Sequence, residues 1–94
     1  MTPDKLNDYS EFFKAIANPA RLKLVILLAE QSRCVCDFEG KLDIDMSVIS
    51  RHLKLLQSKS IVSSRREGKK VIYTLEMTCI LSFLKCIDKG TQRD

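Results

Sequence analysis

The chain has 94 residues, 45% of them hydrophobic and 30% charged, and carries a net charge of +4 at pH 7. This length suits one domain and is too short for two independent cores, and the apolar fraction is too high for a disordered chain. The longest apolar run, Leu24 to Ala29, is far shorter than the ~20 residues of a membrane-spanning helix, and the N-terminus has no secretory pattern. We therefore expect one domain, residues 1–94, in the cytoplasm and without a membrane partner.

Three helices are predicted in the first half of the chain. Apolar residues three and four apart between Leu6 and Ile16 indicate a helix with one buried face. Asn18 and Pro19 suit the N-cap and the first position of a second helix, whose many apolar residues indicate that it is mostly buried. A third, short helix is predicted from about Arg33 to Lys41.

A fourth helix is predicted for the segment MSVISRHLKLLQS, residues 46–58, with Asp45 as its N-cap. Its apolar stripe comprises Ile49, Leu53 and Leu56. The opposite face is small, polar and basic, which is typical of a helix that lies on a partner. The short turn at residues 42–44 joins this helix to the third one and completes a predicted helix-turn-helix.

After the fourth helix the spacing of apolar residues changes from helical to that of β-strands, and two such strands form a predicted hairpin. Residues 61–66 and 71–75 are β-type runs, and the gap between them contains Gly68. From Met77 to about Lys89 the apolar spacing is helical again. The predicted fold is therefore mostly α with a small β-hairpin, a winged helix-turn-helix with a dimerisation helix at each end.

The excess of positive over negative charge is confined to one third of the chain. Residues 1–46 sum to −2, residues 47–75 to +6, and residues 76–94 to zero. The +6 segment coincides with the fourth helix and the hairpin, which predicts double-stranded DNA as the partner, read in the major groove by the helix and approached by the hairpin tip. A winged helix that binds another protein instead of DNA is the alternative.

Each predicted DNA contact has its own chemistry. Ser47 and Ser50 let the helix approach the base edges, and the guanidinium of Arg51 can read guanine with two hydrogen bonds. The remaining cations neutralise phosphates. The full predicted set is Met46, Ser47, Val48, Ser50, Arg51, His52, Lys54, Arg65, Arg66, Lys69 and Lys70.

An enzyme is not predicted. His52 is the only histidine, and the chain has no nucleophile with a nearby base, no glycine-rich phosphate loop and no telling pair of carboxylates. A histidine-rich zinc site is also disfavoured, because the last helix offers Asp88 and no histidine. We expect that DNA binding requires no cofactor.

The strings NPARLKLVILL, CVCDF and VISRHLKLLQSKSIVSSRREGKKVIYTL follow one another in the chain. In this order they resemble the ArsR/SmtB family of metal-responsive repressors, over about Tyr9 to Cys86. The resemblance implies a homodimer that represses its own operon and leaves the operator when its inducer binds. It places the dimer interface on the first and last helices, at Leu6, Tyr9, Phe13, Ile80, Phe83, Leu84 and Ile87.

The four cysteines, at positions 34, 36, 79 and 86, are expected to be reduced thiols, since disulfides are rare in the cytoplasm. On a regular helix Cys34 and Cys36 would lie about 200° apart. One soft ion could then bind both sulfurs only if the third helix distorts. This distortion would compete with correct presentation to DNA of the fourth helix, the recognition helix of the predicted helix-turn-helix. The string Cys34-Val35-Cys36-Asp37 resembles arsenic-sensing members of the family, which implies trivalent arsenic or antimony as the inducer.

A pyramidal ion of this kind takes three sulfurs, and the third stays open. Some relatives have a third cysteine where this chain has Glu39. Cys79 or Cys86 from either subunit, or a small cellular thiol, could supply the sulfur. Alternatively Cys79 and Cys86 are small apolar residues buried in the dimer interface. A redox or persulfide sensor, and a cadmium or lead sensor, remain alternatives on the same fold.

Overall fold

The computed structural model describes residues 1–91. Within that range four α-helices, three strands and one 3₁₀ turn occur in the order α1 Pro3–Ile16, α2 Pro19–Glu30, β1 Arg33–Cys34, 3₁₀ turn Val35–Phe38, α3 Met46–Ser58, β2 Val62–Glu67, β3 Lys70–Leu75 and α4 Cys79–Thr91. The predicted winged helix-turn-helix is confirmed. None of the helices in this range combines the length and apolar character that crossing a membrane requires.

Side-chain caps begin the first two helices, and the cap at Asn18 lies where the sequence predicts it. The Thr2 hydroxyl accepts a hydrogen bond from the Lys5 amide, and the Asn18 side chain accepts one from the Arg21 amide at 3.1 Å. These bonds satisfy amides that the helix itself leaves unpaired. Helix α2 then supplies four buried residues to the core, Leu24, Val25, Leu27 and Leu28.

The three strands form one antiparallel sheet in the order β1-β3-β2. Strands β2 and β3 are the predicted hairpin, with Glu67 opposite Lys70, so the loop has only two residues. Its first residue, Gly68, has φ +65°, the left-handed conformation that a type II′ turn requires there. Strand β1 is not predicted by the sequence. It pairs Cys34 with Ile72 on the other edge of β3.

The predicted third helix is wrong over most of its length. Only Val35–Phe38 is helical, and it is a 3₁₀ turn. Arg33 and Cys34 are extended because their backbone pairs with β3, a contact distant in sequence that local periodicity does not reveal. Phe38 points inward and is 0% exposed.

Helix α3 has the bounds that the sequence predicts, and its apolar stripe is buried. Asp45 lies at the N-cap, but its side chain makes no capping hydrogen bond. At the other end the Ile61 amide donates to the Leu56 carbonyl at 3.0 Å, around Ser60 at φ 59°. This Schellman-type ending turns the chain directly into the wing and carries Ile61 into the core.

Candidate nucleic-acid interface and thiol site

The predicted DNA-contacting residues lie on α3 and on the wing, β2 and β3 with their loop. Most are exposed, while Val48, Ser50 and His52 are half-buried. Of the four wing cations, Arg65 is already paired with Glu67, at 3.0 Å between Nη2 and Oε2. Among residues 1–91, Arg66, Lys69 and Lys70 form no ion pair. Three uncompensated cations therefore stand at the wing, available for an anion such as a phosphate group.

His52 is held by a residue that the sequence reading missed. The guanidinium of Arg21, in the first turn of α2, donates to the carbonyl oxygens of Lys14 and Ala15 at the end of α1. Its Nη1 also lies 3.2 Å from Nδ1 of His52. Arg21 thus ties the end of α1 to the recognition helix. The sequence does contain a sign of this contact: Arg21 is a cation in the first turn of a helix, where the helix dipole disfavours positive charge, so a specific partner could have been expected.

This contact determines the protonation of His52. A guanidinium can only donate, so Nδ1 accepts and the imidazole proton lies on Nε2. Burial lowers the pKa of His52 from its usual 6.5, and the charges of Arg21 and Arg51 lower it further. His52 is therefore neutral at pH 7 and can donate from Nε2 to an acceptor.

The two cysteines of the CVC string meet in the structure. Cys34 is 3% exposed and Cys36 is exposed, and their Sγ atoms are joined as a disulfide with 5.5 Å between the Cα atoms. For Cys34 and Cys36 the expectations of reduced thiols and of opposite helix faces are therefore both wrong in this structure. Because Cys34 lies in a strand, with φ −88° and ψ 169°, its sulfur reaches Cys36 while the 3₁₀ turn stays intact. No unwinding of a helix is needed for both sulfurs to converge.

Asp37 is a third group at this place, and the sequence reading gave it no role. Its Oδ2 accepts a hydrogen bond from the Cys34 amide at 3.0 Å. One ligand atom from each of Cys34, Cys36 and Asp37 lies within 4.8 Å of the others. An acidic residue three positions after a strand-to-helix junction is the pattern of a capping box, which could have indicated the bond.

The thiol site lies between the wing and the recognition helix. A cavity of about 330 Å³ is lined by Cys34, Val35, Cys36, Met46, Lys69, Lys70 and Val71. Met46 is the first residue of α3, and the lysines belong to the wing. The backbone of Cys34 also pairs with Ile72 of the wing. The two sulfurs therefore lie beside both elements of the predicted DNA surface.

The other two cysteines do not join this site. Cys79 and Cys86 are exposed and free, and both lie on α4. Cys79 lines a separate cavity with Phe12, Phe13 and Phe83, and Cys86 lines another with Lys85 and Lys89. Within the single chain, neither contributes to the cavity of Cys34 and Cys36.

The residues predicted for the dimer interface divide into two groups. Leu6, Tyr9, Phe13, Phe83 and Ile87 are exposed, and Leu84 is half-buried. Phe13 of α1 and Phe83 of α4 lie together, with 6.1 Å between ring centroids. Ile80 requires a correction, because it is 2% exposed in the single chain and belongs to its core. One turn of α4 therefore faces inward while later residues form an outer apolar face with α1.

Known proteins are similar to this chain in sequence and in fold. The "HTH_5: Bacterial regulatory protein, arsR family" model matches residues 18–64. The arsenical resistance operon repressor of Escherichia coli K12 is 42% identical over 81 residues, 85% of this chain and 69% of that protein. A transcriptional repressor SmtB homolog of Synechocystis is 40% identical over 75 residues, 80% of this chain. The chain spans only 57% of the length of that repressor.

A solved structure agrees with the fold over nearly the whole chain. The homodimeric winged helix-turn-helix DNA-binding domain of Mb0332 from Mycobacterium bovis has a TM-score of 0.79 and 24% identity, covering 97% of this chain and 87% of that chain. The matching proteins are named as regulators, not as enzymes. On the matched residues and on the identity to these repressors, the chain belongs to the arsR family of bacterial regulatory proteins.

Proposed function

We propose that this chain is a cytoplasmic repressor that binds operator DNA as a homodimer and releases it when trivalent arsenic or antimony binds Cys34 and Cys36. The observation that carries the proposal is the convergence of the two sulfurs between the wing and the first residue of α3. Thiolates are the ligands that soft ions select. The identity to a repressor of arsenical resistance supports the same inducer.

DNA binding is supported by the unpaired charges of α3 and the wing. Arg51 on α3 is exposed and, within residues 1–91, has no ion-pair partner, so its guanidinium is available for base edges. Arg66, Lys69 and Lys70 on the wing would contact phosphates, giving affinity that falls steeply with salt. Neutral His52 would donate to a phosphate oxygen from Nε2.

A homodimer is supported by the exposed apolar residues of α1 and α4. Phe13 and Phe83 lie together on this face and both are nearly half exposed. Exposed apolar surface of this kind is stabilised when a partner covers it. The Mb0332 domain, which shares the fold, is homodimeric. We propose that α1 and α4 of each protomer pair with those of the other, within one domain per chain.

Release follows from how the thiol segment is connected. Once their disulfide is reduced, Cys34 and Cys36 would hold the ion. Bonds from each sulfur to the ion would then replace the direct bond between the two sulfurs and change their positions. Any displacement of Cys34 acts on β3 through its pairing with Ile72. The 3₁₀ turn that follows contacts α3. The same movement would therefore change the angle between the wing and the recognition helix. The two elements could then no longer contact the DNA at the same time in their original positions.

A thiol redox repressor is the second candidate, favoured by the Cys34–Cys36 disulfide itself. In that case two thiols lose two electrons and two protons to an oxidant, and the resulting disulfide changes operator affinity. A reducing agent would then reverse the response, and no metalloid would be needed to produce it.

An operator-release panel separates the candidates. Reduced protein on labelled operator DNA is titrated with arsenite, trivalent antimony, Cd²⁺, Pb²⁺ and a thiol oxidant, with anisotropy as the signal. Arsenite or antimony is expected to release the wild type and not Cys34→Ser/Cys36→Ser, while the matched control Cys79→Ser/Cys86→Ser still responds. Release of the Cys34→Ser/Cys36→Ser variant by arsenite would contradict the site. Release by oxidant alone would favour the redox repressor. Release by Cd²⁺ or Pb²⁺ alone would identify that ion as the inducer in place of arsenic or antimony.

A further inference from the structure

The thiol cavity offers two sulfurs to an ion that takes three. Trivalent arsenic is pyramidal and thiophilic, so two protein thiolates leave one position open. Within the cavity of about 330 Å³, no third sulfur from a cysteine is present, since Cys79 and Cys86 line other cavities. The third donor must come from Asp37, from the uncharged thioether of Met46, from another chain or from a small molecule, and of these a small-molecule thiolate matches the two protein thiolates in kind.

Asp37 is poorly suited to be that donor. Its Oδ2 already accepts the hydrogen bond of the Cys34 amide. If this oxygen bound the ion instead, the amide would lose its side-chain acceptor. A carboxylate is also a hard ligand, which a soft ion does not select over a thiolate. Asp37 is thus better explained as the group that fixes the backbone of Cys34.

The charge of the cavity wall indicates which small molecule fits. Lys69 and Lys70 line the cavity beside Cys34 and Cys36, and neither forms an ion pair among residues 1–91. The rest of the wall is apolar, from Val35, Met46 and Val71. A cavity of this size admits a small ligand with one sulfur and a negatively charged group.

We propose that the third sulfur is supplied by a small anionic thiol whose carboxylate contacts Lys69 and Lys70. This rests on the proposed function, because it requires arsenic at Cys34 and Cys36. Two molecules of the same small thiol first reduce the Cys34–Cys36 disulfide and leave as their own disulfide. Arsenous acid and three thiols, two from the protein and one from the small molecule, then give three As–S bonds and three water molecules, with no change in the oxidation state of arsenic. The carboxylate then occupies lysines that would otherwise contact DNA phosphates, so the co-ligand both completes the site and opposes operator binding.

The test is an arsenite titration in which only the thiol varies. Protein reduced with a phosphine is titrated in mercaptosuccinate, in 2-mercaptoethanol, in cysteamine or without added thiol, with As–S charge-transfer absorbance as the signal. Native mass spectrometry reports whether one thiol stays with each bound arsenic. Variant Lys69→Gln/Lys70→Gln is compared with Lys54→Gln/Arg66→Gln, which loses the same charge outside the cavity.

We expect mercaptosuccinate to be retained with arsenic and to bind wild type more tightly than Lys69→Gln/Lys70→Gln by about five- to tenfold, the size of two exposed ion pairs. The neutral thiol should bind both alike, and Lys54→Gln/Arg66→Gln should match wild type. Because each thiol's own affinity for arsenic is the same with every variant, the comparison isolates the lysines.

Three results would overturn the proposal. They are an equal mercaptosuccinate effect in Lys69→Gln/Lys70→Gln and wild type, full arsenite affinity without any small thiol, and loss of affinity in Cys79→Ser/Cys86→Ser. If arsenite without thiol still releases operator through Cys34 and Cys36, the proposed function stands and this inference fails. If arsenite binds under no condition, both fail.

Discussion

Two contacts of opposite character hold the recognition helix α3 against the rest of the chain. On one side the 3₁₀ turn Val35–Phe38 contacts α3 and buries Phe38 completely in the shared core. On the other side Arg21 reaches from α2 to His52 with a polar, half-buried hydrogen bond. The first contact depends on apolar area, and the second depends on which nitrogen of an imidazole carries a proton.

The difference separates two kinds of chemical sensitivity. The thiols stand beside the apolar contact, where burial is insensitive to pH but responds to any movement of the chain at Cys34. The only histidine stands at the polar contact, where a proton on Nδ1 would face the guanidinium of Arg21. The recognition helix can thus be disturbed by a thiol ligand from one side and by acid from the other.

Removing the apolar contact should have the largest effect on stability. Phe38→Ala deletes a fully buried aromatic ring and should lower the free energy of unfolding by about 3–5 kcal/mol. Ile44→Ala, at an exposed apolar side chain, should cost about 1 kcal/mol or less. Urea unfolding at one fixed protein concentration measures both. Similar losses in the two variants would show that the 3₁₀ turn does not anchor α3.

Removing the polar contact should cost less. Arg21→Ala deletes the guanidinium that serves Lys14, Ala15 and His52, and should lower the free energy of unfolding by about 2 kcal/mol, since its bonds are partly exposed to water. The control Lys14→Ala removes a cation in an exposed pair with Glu11, worth about 0.5 kcal/mol or less. Equal effects would contradict a role for Arg21 in joining α1 and α3.

The thiol segment itself should show a smaller effect at Asp37. Asp37→Ala removes the acceptor of the Cys34 amide and should cost about 1 kcal/mol by the same urea measurement. Asp37→Asn keeps a side-chain oxygen at this position and should recover much of the loss. If asparagine is as costly as alanine, the negative charge rather than the hydrogen bond stabilises the segment.

The smallest effect should be the pH dependence of the polar contact. Burial and the charges of Arg21 and Arg51 hold the pKa of folded His52 below 6.5, so the unfolded chain binds the proton more readily. The free energy of unfolding should therefore fall as pH drops below about 6.5 and level off below the folded-state pKa. His52→Asn should remove this part of the fall, and parallel pH profiles for both proteins would contradict it.

Much of the DNA-binding half was predictable because its pattern is local. In α3 the apolar residues Ile49, Leu53 and Leu56 recur at helical spacing, and all three are buried in the structure. Gly68 marks the hairpin because a two-residue turn needs a positive φ. The Cys34–Cys36 string was identified from its resemblance to a family, but its geometry was not.

The sequence by itself therefore determined the four α-helices, the hairpin and the basic third of the chain, and it predicted Cys34 and Cys36 as the sensor thiols. The tertiary structure alone decided three further points: that Arg33–Cys34 is a strand, that Ile80 faces the chain's own core, and that Arg21 meets His52. The physical reason is the same in each case. These contacts join residues far apart in the chain, and helical or strand periodicity records only which face is apolar, not what covers it.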